Sequence, residues 1–250
     1  MRSLANHVAL VTGGAGGIGS AVCEALASSG ASVIVGYHTS REPAQALAAR
    51  LPPAATAHAA LQAAVTDSAS LALLAAEIDR RYGRCDILVN CAGTTRFVSH
   101  ANLDALDDAL IDKILATNVR GPFATVRALH ALMRRTGNAL VVNISSIAAH
   151  TAMGSNVMYC ASKAALDNMT KSLARALAPE IRVVSVSPGL VDTAFIRQMD
   201  PGWRDEQAAR TPLKRLALPH EIADAVVAMA TSLTFATGSI VAIDGGRPLG

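Results

Sequence analysis

The chain has 250 residues, of which 51% are hydrophobic and 16% charged, and this composition excludes a largely disordered protein. The net charge is +3 and the basic residues are scattered, so nothing favours nucleic acid as a partner. No apolar run approaches the roughly 20 residues of a membrane helix, and no secretory signal precedes the first apolar run. We therefore expect a cytoplasmic protein with no membrane partner. The four cysteines lack paired spacing, which predicts reduced thiols and no metal site.

Seven short runs rich in Val, Ile and Leu alternate with amphipathic stretches along the chain. They occupy residues 7–12, 32–37, 57–61, 87–90, 139–145, 182–187 and 240–243. This alternation is typical of βαβ units, and nearly continuous apolar runs are typical of parallel strands buried on both faces. The sequence therefore predicts the α/β class, with a doubly wound (Rossmann-type) parallel sheet of about seven strands in a three-layer α/β/α sandwich. Residues 1–250 are expected to form one domain.

Two long helices are predicted, over residues 106–135 and 156–178, and Pro179 ends the second. Both have more apolar positions than one core-facing stripe requires. The excess predicts a homo-oligomer, either a tetramer or a dimer, that forms through these helices, although helices buried within a monomer would have the same pattern.

Residues 192–218 lose helical periodicity, and we expect an irregular segment with one short helix at most. Irregular segments of this length in compact domains are often lids. The segment is therefore predicted to cover a substrate.

A glycine-rich loop follows the first predicted strand and opens an amphipathic helix. It places Gly13, Gly17 and Gly19 where a tight turn, close approach to a pyrophosphate and helix packing each require a residue without a side chain. A simple turn is the alternative. In this context between a strand and a helix, the loop favours a dinucleotide site.

The end of the second predicted strand bears on which dinucleotide binds. No carboxylate stands at Gly36, Tyr37 or His38 to accept a hydrogen bond from a ribose 2′-hydroxyl, whereas Ser40 and Arg41 could contact a 2′-phosphate. Alternatively, Arg41 is a solvated residue that opens the next helix. The segment favours NADP(H) over NAD(H).

Tyr159 and Lys163 are four residues apart in the second long helix, so their side chains share one face. A neighbouring ammonium favours the phenolate, and we expect it to bring the pKa of Tyr159 down toward neutrality. Ser146 follows a predicted strand, at the sheet edge where ligands bind in parallel α/β folds. On its own, a Y-x-x-x-K pair is a weak signal, because Tyr and Lys at this spacing are common on exposed helices.

Together these motifs resemble those of the short-chain dehydrogenase/reductase family, in its compact single-domain branch, similar to 3-oxoacyl-carrier-protein reductases. The resemblance covers nearly the whole chain. TGGAGGIG is similar to the family's T-G-x-x-x-G-x-G, and NCAG at residues 90–93 to its N-N-A-G. Asn118, Ser146, Tyr159 and Lys163 match its four catalytic positions, and Pro188, Gly189 and Thr193 match P-G-x-x-x-T.

This resemblance implies hydride transfer between a nicotinamide and a carbinol carbon. Tyr159 would exchange the hydroxyl proton, Ser146 would hold the substrate oxygen, and Lys163 would lower the pKa of the tyrosine and bind the nicotinamide ribose. Asn118 would retain a water that connects the lysine to solvent. The motifs and the resemblance together predict these cofactor-binding residues: Gly13, Gly16, Gly17, Ile18, Gly19, Tyr37, His38, Ser40, Arg41, Ala64, Val65, Asn90, Ala92, Gly93, Tyr159, Lys163, Pro188, Gly189, Val191 and Thr193.

Three positions depart from the family pattern. Ala64 stands where many members have an Asp that binds the adenine, which leaves only backbone atoms of Ala64 and Val65 for this contact. Gly16 stands where many NADP-dependent members have Arg or Lys, and this weakens the NADP(H) prediction. Cys91 replaces the second Asn of N-N-A-G, a change that should preserve the backbone contact.

The predicted partner is a small-molecule alcohol or ketone. The candidate walls are residues 94–97, 148–153 and 195–213. The residues predicted to contact the substrate are Ser146, Met153, Phe195 and Met199. A mostly apolar pocket suits an aliphatic, alicyclic or aromatic ketone, or a 3-oxoacyl thioester. His150 and Arg197 are candidates for recognising a polar group, with surface positions as the alternative. The residues define neither the substrate's stereochemistry nor the reaction direction. A catalytically silent NAD(P)-sensing protein is the alternative function.

Overall fold

The computed structural model describes residues 3–249, and its seven strands form one parallel sheet. The strands are β1 (Val8–Thr12), β2 (Ser32–Tyr37), β3 (Ala59–Gln62), β4 (Ile87–Asn90), β5 (Ala139–Ile144), β6 (Ile181–Pro188) and β7 (Ile240–Ile243). Their order in the sheet is β3-β2-β1-β4-β5-β6-β7. All seven predicted strands are confirmed, with ends shifted by a few residues, and the predicted fold class is confirmed with them.

Helices cover both faces of the sheet. They are α1 (Gly17–Ser28), α2 (Arg41–Arg50), α3 (Ser68–Tyr82), α4 (Asp108–Leu115), α5 (Gly121–Arg134), α6 (Ala148–Thr151), α7 (Val157–Leu177), α8 (Ala194–Arg197), α9 (Pro201–Ala209) and α10 (Pro219–Thr231). A 3₁₀ turn covers Arg247–Leu249. Within residues 3–249, no helix has the length and apolarity needed to cross a membrane.

Each central strand sends alternate side chains into two separate cores. In β1, Val11 packs into one core with Leu26 of α1 and Val226 of α10, whereas Leu10 packs into the other with Leu129 of α5. Because both faces of the strand are buried, its first four residues are apolar, and the polar Thr12 stands at its end. This explains why the strands appear in the sequence as continuous apolar runs.

The long helix predicted over residues 106–135 is divided in the structure. A π-helical turn (Ala116–Arg120) separates α4 from α5 and contains the buried side chain of Asn118. Turns of this kind, in which each bond spans one residue more than in an α-helix, often occur at functional sites. The helix predicted over 156–178 agrees closely with α7.

The expectation of a mainly irregular segment over residues 192–218 is wrong, because the segment contains both α8 and α9. Thr193 caps α8, Asp200 accepts a hydrogen bond from Trp203 N to cap α9, and Pro201 is the first residue of α9. No residue of α9 is buried, so the helix has no apolar stripe in its sequence.

A buried carboxylate connects the amino-terminal ends of β1 and β4. Asp86, only 3% exposed, precedes β4 and accepts a hydrogen bond of 2.8 Å from Val8 N of β1. Both of its oxygens also accept from Arg84, at 2.6 and 2.9 Å. Asp86 thereby fixes the start of β1 against β4.

We predict that Asp86→Ala lowers the free energy of unfolding by about 2–3 kcal/mol, because the buried Val8 N–H loses its partner. Urea denaturation measures the change. Glu24→Ala is the matched control, since it breaks the exposed Arg50–Glu24 ion pair and should lower stability by less than about 1 kcal/mol. Equal effects of the two substitutions would contradict the assignment.

Candidate active site

The glycine-rich loop forms a cradle in which added side chains would collide with backbone. Gly13 has φ = +65°, a conformation that favours glycine. A Cβ at Gly19 would lie 2.3 Å from Gly13 O, and one at Gly17 would lie 3.0 Å from Thr193 Cβ. No side chain caps α1 at Gly16, so its first N–H groups are available to an anion. These features fit a dinucleotide pyrophosphate.

The cradle opens into a cleft of about 880 Å³ across the carboxyl ends of the strands. Most of the predicted cofactor residues line it: Gly13, Gly16, Gly17, Ile18, Gly19, Tyr37, His38, Ser40, Val65, Ala92, Gly93, Tyr159, Lys163 and Thr193. The cleft extends from the end of β2 to Tyr159 and Lys163, and this length suits an extended dinucleotide.

Six predicted cofactor residues lie elsewhere. Pro188, Gly189 and Val191 line the adjoining cavity described below. Arg41 is exposed at the first turn of α2, and Ala64 is buried while its neighbours Ala63 and Val65 line the cleft. Asn90 is buried and donates to Asn143 Oδ1 at 2.9 Å.

Thr12 at the end of β1 connects the cradle to the end of β4. Its hydroxyl oxygen accepts hydrogen bonds from Cys91 N and Ala92 N, both at 3.1 Å. A Cβ added at Gly13 would lie 3.0 Å from the Cα of Ala92. The two segments that resemble family motifs are therefore in direct contact.

The far end of the cleft is lined by Tyr37, His38, Thr39 and Ser40. No Asp or Glu among residues 3–249 lines this cleft. The feature noted in the sequence, a β2 end without a carboxylate for a ribose 2′-hydroxyl, is therefore present in the structure as well.

Ser146, Tyr159 and Lys163 meet at the near end of the cleft. Ser146 follows β5 and lies near enough to Tyr159 to act on the pKa of its phenol, while Lys163 Nζ donates to Ile144 O at 2.8 Å. The amine lies 5.7 Å from the centre of the Tyr159 ring. The last residue of β5, Ile144, therefore holds Lys163, and Ser146, two residues further along, is placed beside Tyr159.

Burial dominates the electrostatics of this group. It lowers the pKa of Lys163 to about 8, so the amine is still mostly protonated at pH 7. Burial also raises the pKa of Tyr159, and the hydrogen bond with Ser146 opposes this rise. The expected lowering of the tyrosine pKa is absent in this structure, because desolvation outweighs the favourable contacts and the amine is directed to Ile144 O.

Asn118 holds the loop after β4 from within the π-helical turn. Its Oδ1 accepts from Thr94 N at 2.8 Å, and its Nδ2 donates to Thr94 O at 3.0 Å and to Ser162 Oγ at 3.1 Å. Both amide hydrogens therefore have protein partners. Its expected role in retaining a water stays a prediction.

A second cavity, of about 870 Å³, adjoins the cofactor cleft. The two cavities share Ile18, Gly93, Thr94, Ser145, Tyr159, Thr193 and Phe195. Ser146 lines the second cavity. A compound there would meet a cofactor beside the hydroxyls of Ser146 and Tyr159.

Aromatic side chains connect residues 192–218 to the loop after β4. The rings of Phe97 and Phe195 are stacked with centres 5.8 Å apart, and Trp203 meets Phe97 edge-on at 6.0 Å. All three line the second cavity. They give it a largely apolar wall.

The predicted substrate residues are partly reproduced. Met153 and Phe195 line the second cavity, whereas Met199 does not. His150 is also absent from the lining, and Arg197 is an exposed partner of Asp192. In place of His150 and Arg197, the candidates for recognising a polar group of the substrate are His100, Gln207, Arg210 and Arg247, which do line the cavity. Sequence reasoning missed Arg247 because it lies far along the chain from the other walls.

Comparisons with known proteins agree with this geometry. The family model described as "Enoyl-(Acyl carrier protein) reductase" matches residues 13–247. D-threitol dehydrogenase of Mycolicibacterium smegmatis is 37% identical over 246 residues, 97% of this chain and 93% of the relative. The 3-oxoacyl-[acyl-carrier-protein] reductase FabG of Thermotoga maritima is 33% identical over 248 residues, 97% and 98% of the two chains. The Pseudomonas aeruginosa RhlG/NADP active-site complex has a TM-score of 0.91 at 32% identity, covering 99% and 100%.

The cleft, the adjoining cavity and these similarities define an NAD(P)-dependent oxidoreductase that acts on alcohol or carbonyl groups. The chain belongs to the short-chain dehydrogenase/reductase family. The relatives are named for different substrates, so the similarity defines the reaction class and leaves the substrate to the local structure.

The position of Tyr159 depends on Asn156, the residue that caps α7. Asn156 is 1% exposed, and its Oδ1 accepts from Tyr159 N at 2.7 Å. Its Nδ2 donates to Thr95 Oγ1 at 3.2 Å and to Arg96 O at 2.8 Å. The side chain of Asn156 therefore connects the first turn of α7 to residues 94–97, the part of the loop after β4 that is called the substrate loop below. An Asn just before the apolar periodicity of α7 was the available sequence signal.

We predict that Asn156→Ala lowers the free energy of unfolding by about 2 kcal/mol, because the helix loses its cap and buried groups lose partners. It should also speed hydrogen exchange at Tyr159 N. Asn156→Asp should restore the exchange protection, since Asp caps well, but cannot donate to Arg96 O. Asn168→Ala, at an exposed position of α7, is the control and should change neither quantity. Unchanged exchange in Asn156→Ala would refute the positioning role.

Proposed function

We propose that this enzyme reduces an apolar ketone or a 3-oxoacyl-type substrate with NADPH, using Ser146, Tyr159 and Lys163 as catalytic residues. The observation that carries this proposal is the junction of two cavities at Tyr159. A cofactor cleft and a substrate cavity that meet at a phenol provide the proximity that hydride and proton transfer to one carbonyl group require.

The protein's share of the reaction is proton transfer and charge stabilisation. A nicotinamide bound in the cleft supplies a hydride to the carbonyl carbon, or accepts one in the reverse direction. Tyr159 donates its hydroxyl proton to the carbonyl oxygen as negative charge develops there, and Ser146 donates a hydrogen bond to the same oxygen. The protonated amine of Lys163 stabilises the tyrosinate that remains.

Asn118 acts in this proposal as a positioning residue. Its three hydrogen bonds hold Thr94 and Ser162, and Thr94 lines both cavities. Ser162 in turn donates to Tyr159 O at 2.7 Å. The side chain thereby connects the substrate loop to the helix that presents the catalytic tyrosine.

The apolar walls support a ketone with a hydrophobic body. Phe97, Phe195 and Trp203 form one wall and Met153 also lines the cavity, while residues 192–218 serve as the lid. The similarity to a 3-oxoacyl-[acyl-carrier-protein] reductase supports an acyl substrate as one such compound.

The cofactor preference rests on the end of the cleft at β2. The absence of a lining carboxylate within residues 3–249 and the presence of His38, Thr39 and Ser40 favour a 2′-phosphate. The RhlG/NADP complex is a similar structure with this cofactor. Arg41 is exposed and does not line the cleft. The proposal of NADP(H) therefore rests on the neighbouring polar residues that do line it, and not on the charge of Arg41.

Two further proposals concern assembly and the alternative function. Homo-oligomer formation through α4, α5 and α7 is supported by Phe123 and Val157, which are exposed apolar residues on α5 and α7. A silent NAD(P)-sensing role is less well supported, because a sensor needs neither a substrate cavity beside the cofactor cleft nor Ser146 and Tyr159 together in its lining.

We predict that Tyr159→Phe lowers kcat by about 100-fold or more, because the proton donor is lost, while NADPH binding stays within about twofold. Nicotinamide absorbance with a panel of ketones and 3-oxoacyl thioesters measures turnover, and fluorescence titration measures binding. Tyr82→Phe is the matched control, since it removes a hydroxyl that donates to Ala57 O away from the site. NADPH binding to a wild-type protein that turns over no carbonyl compound would instead favour the sensing function.

We predict that His38→Asp lowers the preference for NADPH over NADH by about tenfold or more, because a carboxylate repels the 2′-phosphate and accepts a hydrogen bond from a 2′-hydroxyl. The measured quantity is the ratio of kcat/KM for the two cofactors. A general defect in folding would lower both values and leave the ratio unchanged. A wild-type enzyme that prefers NADH would contradict the proposal directly.

A further inference from the structure

Two arginines line the substrate cavity in addition to its aromatic side chains. Arg210 follows α9, and Arg247 opens the turn near the end of the described chain; both line the cavity. They join Gln207 in a lining that also includes the aromatic side chains of Phe97 and Trp203. Arg210 is more than half exposed and pairs with Glu206, so the cost of removing a charge from water falls on the partly buried Arg247.

Arg247 is held in place without a carboxylate. One of its terminal nitrogens donates to Gln207 O at 3.0 Å and the other to Gln207 Oε1 at 2.6 Å. Within residues 3–249 it forms no ion pair. The side chain is partly buried, so these two hydrogen bonds fix its orientation without a carboxylate partner among residues 3–249.

The neighbouring charges do not neutralise this pair. Burial lowers the pKa of Arg247, and the nearby Arg210 lowers it further, while Glu206 opposes the change. Glu206 itself contacts Arg210 only at 3.4 Å, and both of these side chains are more than half exposed. By contrast, Arg204 and Arg197 of the same segment are paired with Asp192.

We infer that Arg247 and Arg210 bind an anionic group of the substrate, so that the enzyme acts on amphipathic oxo compounds with a carboxylate or phosphate remote from the reacting carbonyl. This inference rests on the proposed function for the position of the carbonyl, at Tyr159 and Ser146. Guanidinium groups suit both anions, because their planar N–H pairs match two oxygens. The apolar wall then contacts the hydrocarbon between the two polar ends.

Paired substrates test the inference and distinguish the source of the anion. One pair is an oxo-carboxylic acid and its methyl ester. The other is a 3-oxoacyl-coenzyme A and the matching N-acetylcysteamine thioester, which lacks phosphate. We expect the anionic member of one pair to be favoured in kcat/KM by about 10- to 100-fold, the effect of one or two charged hydrogen bonds.

The variants Arg247→Gln and Arg210→Gln should remove this preference, because they raise KM for the anionic member by much more than they raise KM for the neutral member. Arg247→Lys should restore only part of it, because the planar fork is lost. Arg50→Gln is the control, since it removes an arginine that pairs with Glu24 outside both cavities. Arg210 is more than half exposed, so its variant tests the inference even if Arg247→Gln fails to fold.

Binding of octanoate compared with octanamide, by calorimetry, separates this inference from the proposed function. Octanoate that binds more tightly than octanamide, and loses this advantage in the arginine variants, supports a carboxylate site even if no carbonyl compound is turned over. Dependence on Arg247 in the coenzyme A pair alone assigns the site to phosphate. Equal use of both members in each pair, with no preference for octanoate, overturns the inference.

Discussion

The site depends on the point in the sheet where the strand order reverses. From β1 the chain moves outward to β2 and β3, and it then returns to place β4 on the other side of β1. The loops after β1 and β4 therefore leave the sheet in opposite directions, and a crevice opens between them. Thr12 spans its floor through hydrogen bonds to Cys91 N and Ala92 N. The glycine cradle and the loop that carries Thr94 form its two sides.

Burial accounts for most of what the sequence predicted correctly. Strands β1 to β7 were readable because both faces of a central parallel strand must be apolar. The glycine loop was readable because Gly13 and Gly19 occupy positions that sterics deny to other residues. Strand-end and helix-spacing rules predict positions for Ser146 and Tyr159 at the carboxyl edge of the sheet, and in the structure both line the second cavity.

Features that depend on tertiary contacts were not readable. Helix α9 buries no residue, so its sequence has no periodic signal, and only Asp200 and Pro201 mark its start. Met199 lies one residue before that cap and is carried away from the cavity. Arg247 enters the cavity only because the chain returns past α9 after β7. The direction of the Tyr159 pKa shift was also not predicted correctly. Helical spacing shows that a lysine is nearby, which lowers the pKa, but it does not show how deeply the phenol is buried, and burial raises the pKa by more.

Thr193 lies where the cofactor cleft and the substrate cavity join. It packs against Gly17 of the cradle, caps α8 and lines both cavities, and Phe195 after it also lines both. A dinucleotide in the cleft therefore contacts the start of the segment whose aromatic rings complete the substrate wall. The surface that meets the substrate is thus partly built from side chains that also face the cofactor cleft, so that a substitution of Thr193 or Phe195 alters both ligand surfaces at once.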